Sequence, residues 1–291
     1  IQEGCDKFCK FCVVPYTRGP EYSRSYLEII SEAKQLVDNG SQEIILLGQN
    51  VNAYNFKNKR LSDLLYSLSE IRNLKRIRYT TSHPKDFTDD LIEAHGECKK
   101  LMPLLHLPVQ SGSTKILKNM NRNHTTEEYL EIIEKLKEKK SSIKFSSDFI
   151  IAYPGETKDD FEKTISLMKQ VEFINSYSFI FSARPGTPAA NLKKIDEKIA
   201  KERLAIFKRF ADEVKTKYRK KLVNSTASVL FENNARDADK YFGRDEYFNS
   251  VIVNSNENLT GKIRNVKINQ CNQNTLFGEI ILENKPKEYA A

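Results

Sequence analysis

No stretch of the 291 residues stays apolar for long enough to cross a membrane, and no charged, apolar and small-residue succession marks a secretory leader. Five cysteines, three of them in one short motif, are too few and too crowded for a disulfide framework. These scarcities exclude membrane-spanning and disulfide-stapled secreted classes, and the expectation is a soluble cytoplasmic protein with no membrane partner. What is abundant is positive charge. Lys and Arg number 47 against 39 Asp and Glu, a formal net charge of +8. That surplus fits a polyanionic partner such as RNA, or a Lys-rich compositional bias that says nothing of partners. The length allows two domains.

The most informative residues are Cys5, Cys9 and Cys12, spaced C-x-x-x-C-x-x-C. Three thiolates in one loop suit three corners of an iron–sulfur cluster and leave one iron without a protein ligand. A zinc site normally closes with four ligands, and no fourth Cys or His is near in sequence. A disulfide with one spare thiol is the other alternative. Cys98 and Cys271 read as bystanders.

The first two thirds of the chain alternates short β-branched or apolar runs with polar clusters and amphipathic stretches, which reads as βα units. Strands are expected at 1–4, 43–47, 77–80, 104–107, 145–151 and 177–181. Helices are expected at 26–38, 61–71, 88–97, 125–139 and 157–171. Thr125 and Thr157, each followed by carboxylates in the next turn, mark helix starts. Right-handed crossovers between six parallel strands would curl the sheet into most of a barrel, with the residues past each strand facing one cavity. Those positions are the cysteine loop, Gly48 to Asn52, Thr81 to Pro84, Pro108 to Gly112, Tyr153 to Glu156 and Ser182 to Gly186. All are polar or glycine-bearing. Single members have simpler explanations, such as Ser111 and Thr157 capping helices or Pro185 and Gly186 turning the chain.

These segments carry a family resemblance. The run Gly4 to Arg18 resembles the radical S-adenosylmethionine (SAM) superfamily. Cys12 to Gly19, Leu46 to Tyr54, Leu107 to Ser113 and Tyr153 to Thr157 are similar to its methylthiotransferases. Gly48-Gln49-Asn50-Val51-Asn52 resembles the branch that methylthiolates carbon two of isopentenyladenosine next to the anticodon of tRNA. The resemblance implies an α/β fold, a partial (β/α)6 barrel. It implies a 4Fe-4S cluster on Cys5, Cys9 and Cys12, whose open iron takes SAM. One electron from a donor such as a flavodoxin or ferredoxin then cleaves SAM. Motif order places Gln49 and Asn50 at the methionyl amino group, Gln110 and Ser111 at the carboxylate or ribose, and Asp148 and Glu156 at the nucleoside, with Arg184 offsetting the carboxylate. Lys7, Lys10 and Arg18 would moderate cluster charge, or simply form a solvated basic loop. No catalytic side chain is assigned.

A Lys/Arg-rich stretch at 193–221 carries Ile195, Ile199, Leu204, Phe207, Phe210 and Val214 at helical spacing, an amphipathic helix. Short strands follow at 226–231, 250–254, 262–270 and 276–282, a small all-β barrel that resembles the TRAM domain. Domain limits of 1–222 and 223–288 follow. Arg236, Lys240, Arg244, Lys262, Arg264 and Lys267 would contact tRNA phosphates, with Tyr241, Phe242, Tyr247 and Phe248 available for base stacking. An ordinary polar barrel surface would show the same residue types. Family members also carry a preceding domain with three further cysteines for a second 4Fe-4S cluster, absent from this sequence. The chain, read as a monomer, is therefore expected to cleave SAM without completing sulfur transfer. The alternatives are a tRNA-binding paralogue without catalysis and another radical SAM reaction on RNA or protein.

Overall fold

The structure is a computed structural model that describes residues 1–235 and 239–281. The chain divides into two compact units, residues 1–215 and 216–291. In the first, β1 (Gln2–Glu3), α1 (Val14–Arg18), β2 (Tyr22–Ser23), α2 (Tyr26–Asp38) and β3 (Glu43–Leu46) are followed by a hairpin of β4 (Asn55–Phe56) and β5 (Lys59–Arg60). Next come α3 (Leu61–Ser69), β6 (Arg76–Tyr79), α4 (Asp89–Glu97), β7 (Leu104–His106) and α5 (Thr114–Asn119). The series continues with α6 (Thr126–Lys139), β8 (Lys144–Ile151), α7 (Lys158–Val171), β9 (Asn175–Ile180) and α8 (Glu197–Leu222), whose residues from Thr216 on belong to the second unit.

Six strands run parallel in chain order. β3 pairs with β6 from Glu43 opposite Arg76 to Leu46 opposite Tyr79, and β8 pairs with both β7 and β9. Single parallel bridges, Gln2 to Gly48 and Ile77 to Leu101, join β1 to the end of β3 and β6 to the approach to β7. Gly48 has no room for a side chain there, because a Cβ would lie 2.6 Å from the Gln2 carbonyl. The partial barrel is the one the sequence implies. The strand expected over 1–4 is only two residues long, and β2 and the β4–β5 hairpin were not anticipated.

Helical periodicity supplies the packing. Ile29, Ala33 and Val37 are the buried face of α2, and Tyr129, Ile133 and Leu136 that of α6. They join Leu64, Leu68, Ile77, Leu105, Phe149 and Phe173 in one core. Each such side chain contributes about 1.5–3 kcal/mol on burial. Both expected helix starts are capping boxes. Thr125 accepts from Glu128 N at 3.1 Å and Thr157 from Asp160 N at 3.2 Å, while each carboxylate reaches back to the cap residue's N–H. The long helix α8 sends Ala200 and Phe207 into the core, with the Phe207 and Phe149 rings 4.7 Å apart.

In the second unit, β10 (Thr226–Asn234), β11 (Lys240–Arg244), β12 (Ser250–Asn254), β13 (Ile263–Cys271) and β14 (Thr275–Ile280) form a closed barrel in the order β10-β11-β12-β14-β13. The sequence reading had four of these strands and took the residues of β11 for an RNA-facing surface. The alternation of β11 corrects this: Tyr241 points into the barrel core beside Val229, Phe231 and Val253, while Phe242 points outward. Arg236 and Leu282 lie outside the described residues.

Candidate functional site

The cysteine loop follows β1 and is held by bonds to five other segments. Gly4 N donates to Gln49 Oε1 at 2.8 Å and Cys5 N to Gly19 O at 3.2 Å. Lys10 N donates to Met120 O and Ala189 N to Lys10 O, both at 2.9 Å, and Asn121 Nδ2 donates to Phe8 O at 3.0 Å. Lys7 pairs with Asp86 at 2.6 Å. Gly4 turns the chain at φ 72°, where a Cβ would lie 2.0 Å from the Pro20 carbonyl, so this position takes glycine alone.

Cys9 is buried, and Cys5 and Cys12 are partly exposed. Burial pushes the Cys5 thiol up to about 11, with smaller upward contributions from Glu21 and from Cys9 and Cys12. Burial also raises Cys12, Cys9 adds to this, and Arg122 opposes it. Among the described residues no three His, Cys, Asp or Glu side chains converge as a single-ion site. A zinc ion needs its ligands on one point, whereas a cluster takes one thiolate at each of three irons. Three thiols on one loop, one of them buried and two partly exposed, are the donor set such a cluster would take. Cys98 sits elsewhere, with Ser69, Glu97, Lys140 and Glu70 as its electrostatic neighbours.

The strand ends carry backbone strain. Thr81, Gln110 and Ala152, just past β6, β7 and β8, have φ of 67°, 75° and 59°. Non-glycine residues there cost about 1–3 kcal/mol each and persist where surrounding structure over-determines them.

The expected SAM residues divide into groups. Gln49 and Asn50 lie at the cysteine loop. Asn50 is buried, donates through Nδ2 to Glu21 at 3.0 Å and Asp86 at 2.7 Å, and receives nothing at its buried Oδ1. That orphaned acceptor suits an ammonium donor. Gln110 and Asp148 are adjacent on the sheet, Gln110 N donating to Asp148 O at 2.9 Å. The Asp148 carboxylate lies 3.5 Å from His106 Nε2. Ser111 Oγ accepts from Ser113 N at 3.2 Å, and it is Ser113 that caps α5. The Glu156 carboxylate is paired with Arg203 of α8 at 2.7 Å. Arg184 is exposed, and its carbonyl accepts from Thr187.

Sequence reasoning passed over Met120 to His124. This segment joins α5 to α6 rather than following a strand, so a strand-end reading misses it. Asn121 and Asn123, both at positive φ, were its available signal. Arg122 there is buried and donates through Nη1 to Cys9 Sγ at 3.6 Å.

On the second unit, Arg244 pairs with Glu232 at 3.3 Å and stacks on Phe242 and Phe248 at 5.2 and 4.2 Å. Lys262 and Arg264 share Glu257. Lys267 is exposed on β13, and Lys240 lines a groove of about 610 Å³ with Phe242, Ile252, Phe277, Asn233 and Asn254. Phe242, Ile252 and Phe277 are register partners across three strands, forming an apolar row on the outer face.

A family model described as the radical SAM superfamily matches residues 1–168, and one described as the TRAM domain matches residues 220–281. A Pelagibacter ubique protein named tRNA-2-methylthio-N(6)-dimethylallyladenosine synthase is 57% identical over 99% of this chain. A Rickettsia akari protein of the same name is 51% identical over 97% of it. The chain spans 65% of the length of each. Among solved structures, methylornithine synthase (PylB) matches with a TM-score of 0.51 at 13% identity, covering 73% of this chain and 60% of that one, a likeness of fold alone. With the cysteine loop at the head of a six-strand parallel series and a closed barrel later in the chain, the chain belongs to the radical SAM superfamily and carries a TRAM domain.

Proposed function

We propose that this chain is the SAM-cleaving and RNA-binding part of a cytoplasmic methylthiotransferase acting on carbon two of isopentenyladenosine next to the anticodon of tRNA. The observation that carries this reading is the similarity along 99% of the chain to a synthase named for that product. Among the described residues no helix is long and apolar enough to cross a membrane.

Cys5, Cys9 and Cys12 would hold the 4Fe-4S cluster, which when bound supplies the electron that cleaves SAM. The protein's own part is orientation. Gln49 fixes the start of the loop through Gly4, so one side chain couples the first strand end to the second. Asn50 offers its unpartnered Oδ1 to the methionyl ammonium, while Glu21 and Asp86 lock its rotamer. Gln110, Ser111, Asp148 and Arg184 stand at the later strand ends and would serve the rest of SAM. Glu156 would act through structure, as its pairing with Arg203 implies.

The test is chemical. The reconstituted chain, given SAM and dithionite, should release 5′-deoxyadenosine, and tRNA from a strain lacking the gene should lose its 2-methylthio group by mass analysis. Unmodified cleavage-free SAM in the presence of a full cluster, or unchanged tRNA from that strain, would overturn the reading.

For the TRAM domain, we assign Lys240 and Lys267 to phosphates and the Phe242–Phe277 row to unpaired bases. Stacking is worth about 1–3 kcal/mol per base, so Phe242→Ala and Phe277→Ala should each weaken tRNA binding by about 5- to 150-fold. Lys267→Ala should instead reduce the slope of log affinity against log salt by about one. Unaltered binding in both phenylalanine variants would move the RNA to another face.

A further inference from the structure

We infer that Arg122 is a positioning residue that balances the charge of the iron–sulfur site and raises its reduction potential, an inference that rests on the cluster reading of Cys5, Cys9 and Cys12. Its guanidinium is buried, with the residue 5% exposed. Nη2 donates to Pro108 O at 2.6 Å and Nη1 to Cys9 Sγ at 3.6 Å, while Nε is buried without a partner. Among the described residues no Asp or Glu forms an ion pair with it. Asp86, the carboxylate bonded to the cysteine loop, is taken by Lys7 at 2.6 Å.

A buried cation without a counter-ion is costly, and chains retain one where an anion arrives to meet it. The groups on which Arg122 acts narrow the choice of that anion. His83 and His124 face each other with ring centroids 5.7 Å apart. Burial, reinforced by Arg122, lowers both, His124 to about 4, so both imidazoles are neutral at physiological pH. Tyr129, fully buried, is pushed up and stays a phenol. What remains is the cysteine loop, where Arg122 touches Cys9. Loading with iron fixes those sulfurs as thiolates. Arg122 is then half of an ion pair whose other half is the loaded cluster.

The physical consequence has a sign. Taking up an electron makes the cluster more negative, and both a buried cation and an N–H donor on a ligating sulfur favour the more negative state. Removing the guanidinium should therefore make the cluster harder to reduce.

Potentiometric titration of the reconstituted full chain, without SAM and followed by electron paramagnetic resonance, reads this directly. Arg122→Gln should hold the same iron as the parent and show a lower midpoint potential. Arg122→Lys, which keeps the charge but loses the planar fork, should fall between. Arg122→Met provides a second measure: the apo protein should melt at or above the parent's temperature, and the loaded protein below it. An unchanged midpoint in Arg122→Gln at full iron overturns the inference, as does a loss of apo stability equal to the loss when loaded, which would mark Arg122 as packing only. Weakened SAM affinity with an unchanged midpoint would transfer Arg122 to the SAM carboxylate and also overturn it. Failure of both Arg122→Gln and Arg122→Lys to load would assign Arg122 to site assembly and overturn it too. Failure of the parent chain to take up iron would instead bring down the cluster reading beneath it.

Discussion

Cys9→Ser should leave the chain folded but without its iron. Of the three loop thiols Cys9 is the buried one, 7% exposed, and its carbonyl accepts from Cys12 N at 2.9 Å, so the side chain is fixed by the loop's own turn. Ser offers a harder, far less acidic oxygen, a poor substitute for thiolate on iron. The loop's remaining bonds, from Gln49, Gly19, Met120 and Ala189, do not involve the sulfur. Visible absorbance and iron content after anaerobic reconstitution should fall to a small fraction of the parent's, with circular dichroism preserved. Cys98→Ser and Cys271→Ser should keep the full iron complement. A Cys9→Ser protein that retains it would remove the assignment.

The largest effect on stability should come from Arg203→Ala. Glu156 is almost wholly buried, and the Arg203 guanidinium bonds both its carboxylate at 2.7 Å and its backbone carbonyl at 3.0 Å. Truncating one partner of such a pair leaves an uncompensated buried charge and costs about 3–5 kcal/mol. The effect also depends on pH. Burial raises the Glu156 carboxyl above its ordinary 4.5, and Arg203 opposes that rise. A carboxyl raised by folding favours the folded state below its unfolded value, and this contribution disappears as pH climbs through the folded value. Without Arg203 the folded value rises further, and the loss extends to higher pH. Urea denaturation should therefore show a smaller deficit near pH 5 than at pH 7.5, and the double variant Glu156→Gln with Arg203→Met should recover part of it. Equal deficits at both pH values would mean the ion pair is not what Arg203 contributes.

Local chemistry made much of this molecule legible. The capping boxes at Thr125 and Thr157, the apolar stripe of α8 and the parallel βα series all rest on short-range pattern, and the structure has them. The cysteine spacing is legible for the same reason: three thiols within eight residues need no tertiary knowledge. What sequence could not supply was partnership across distance. Glu156 was placed at the nucleoside because it follows a strand, but α8 returns some fifty residues later to claim it through Arg203. Arg122 was invisible because its partner Cys9 is 113 positions away. Strand β11 was missed because Lys240, Gly243 and Arg244 dilute its alternation, and Tyr241 was read as surface when the barrel needed it inside.

The stitching of the cysteine loop also sets an order of assembly. Its partners lie far along the chain: Gln49 is 45 positions from Gly4, Asp86 is 79 from Lys7 and Asn121 is 113 from Phe8. A contact over such separations forms only after the intervening chain has collapsed, since loop closure must come first. On a ribosome, Cys5, Cys9 and Cys12 emerge well before Asp86 and Asn121, so the loop that presents them cannot take shape until the segments beyond β7 have been made and packed. The three thiols are made before the segments that organise them, so a cluster held by them would be assembled on an already folded apoprotein.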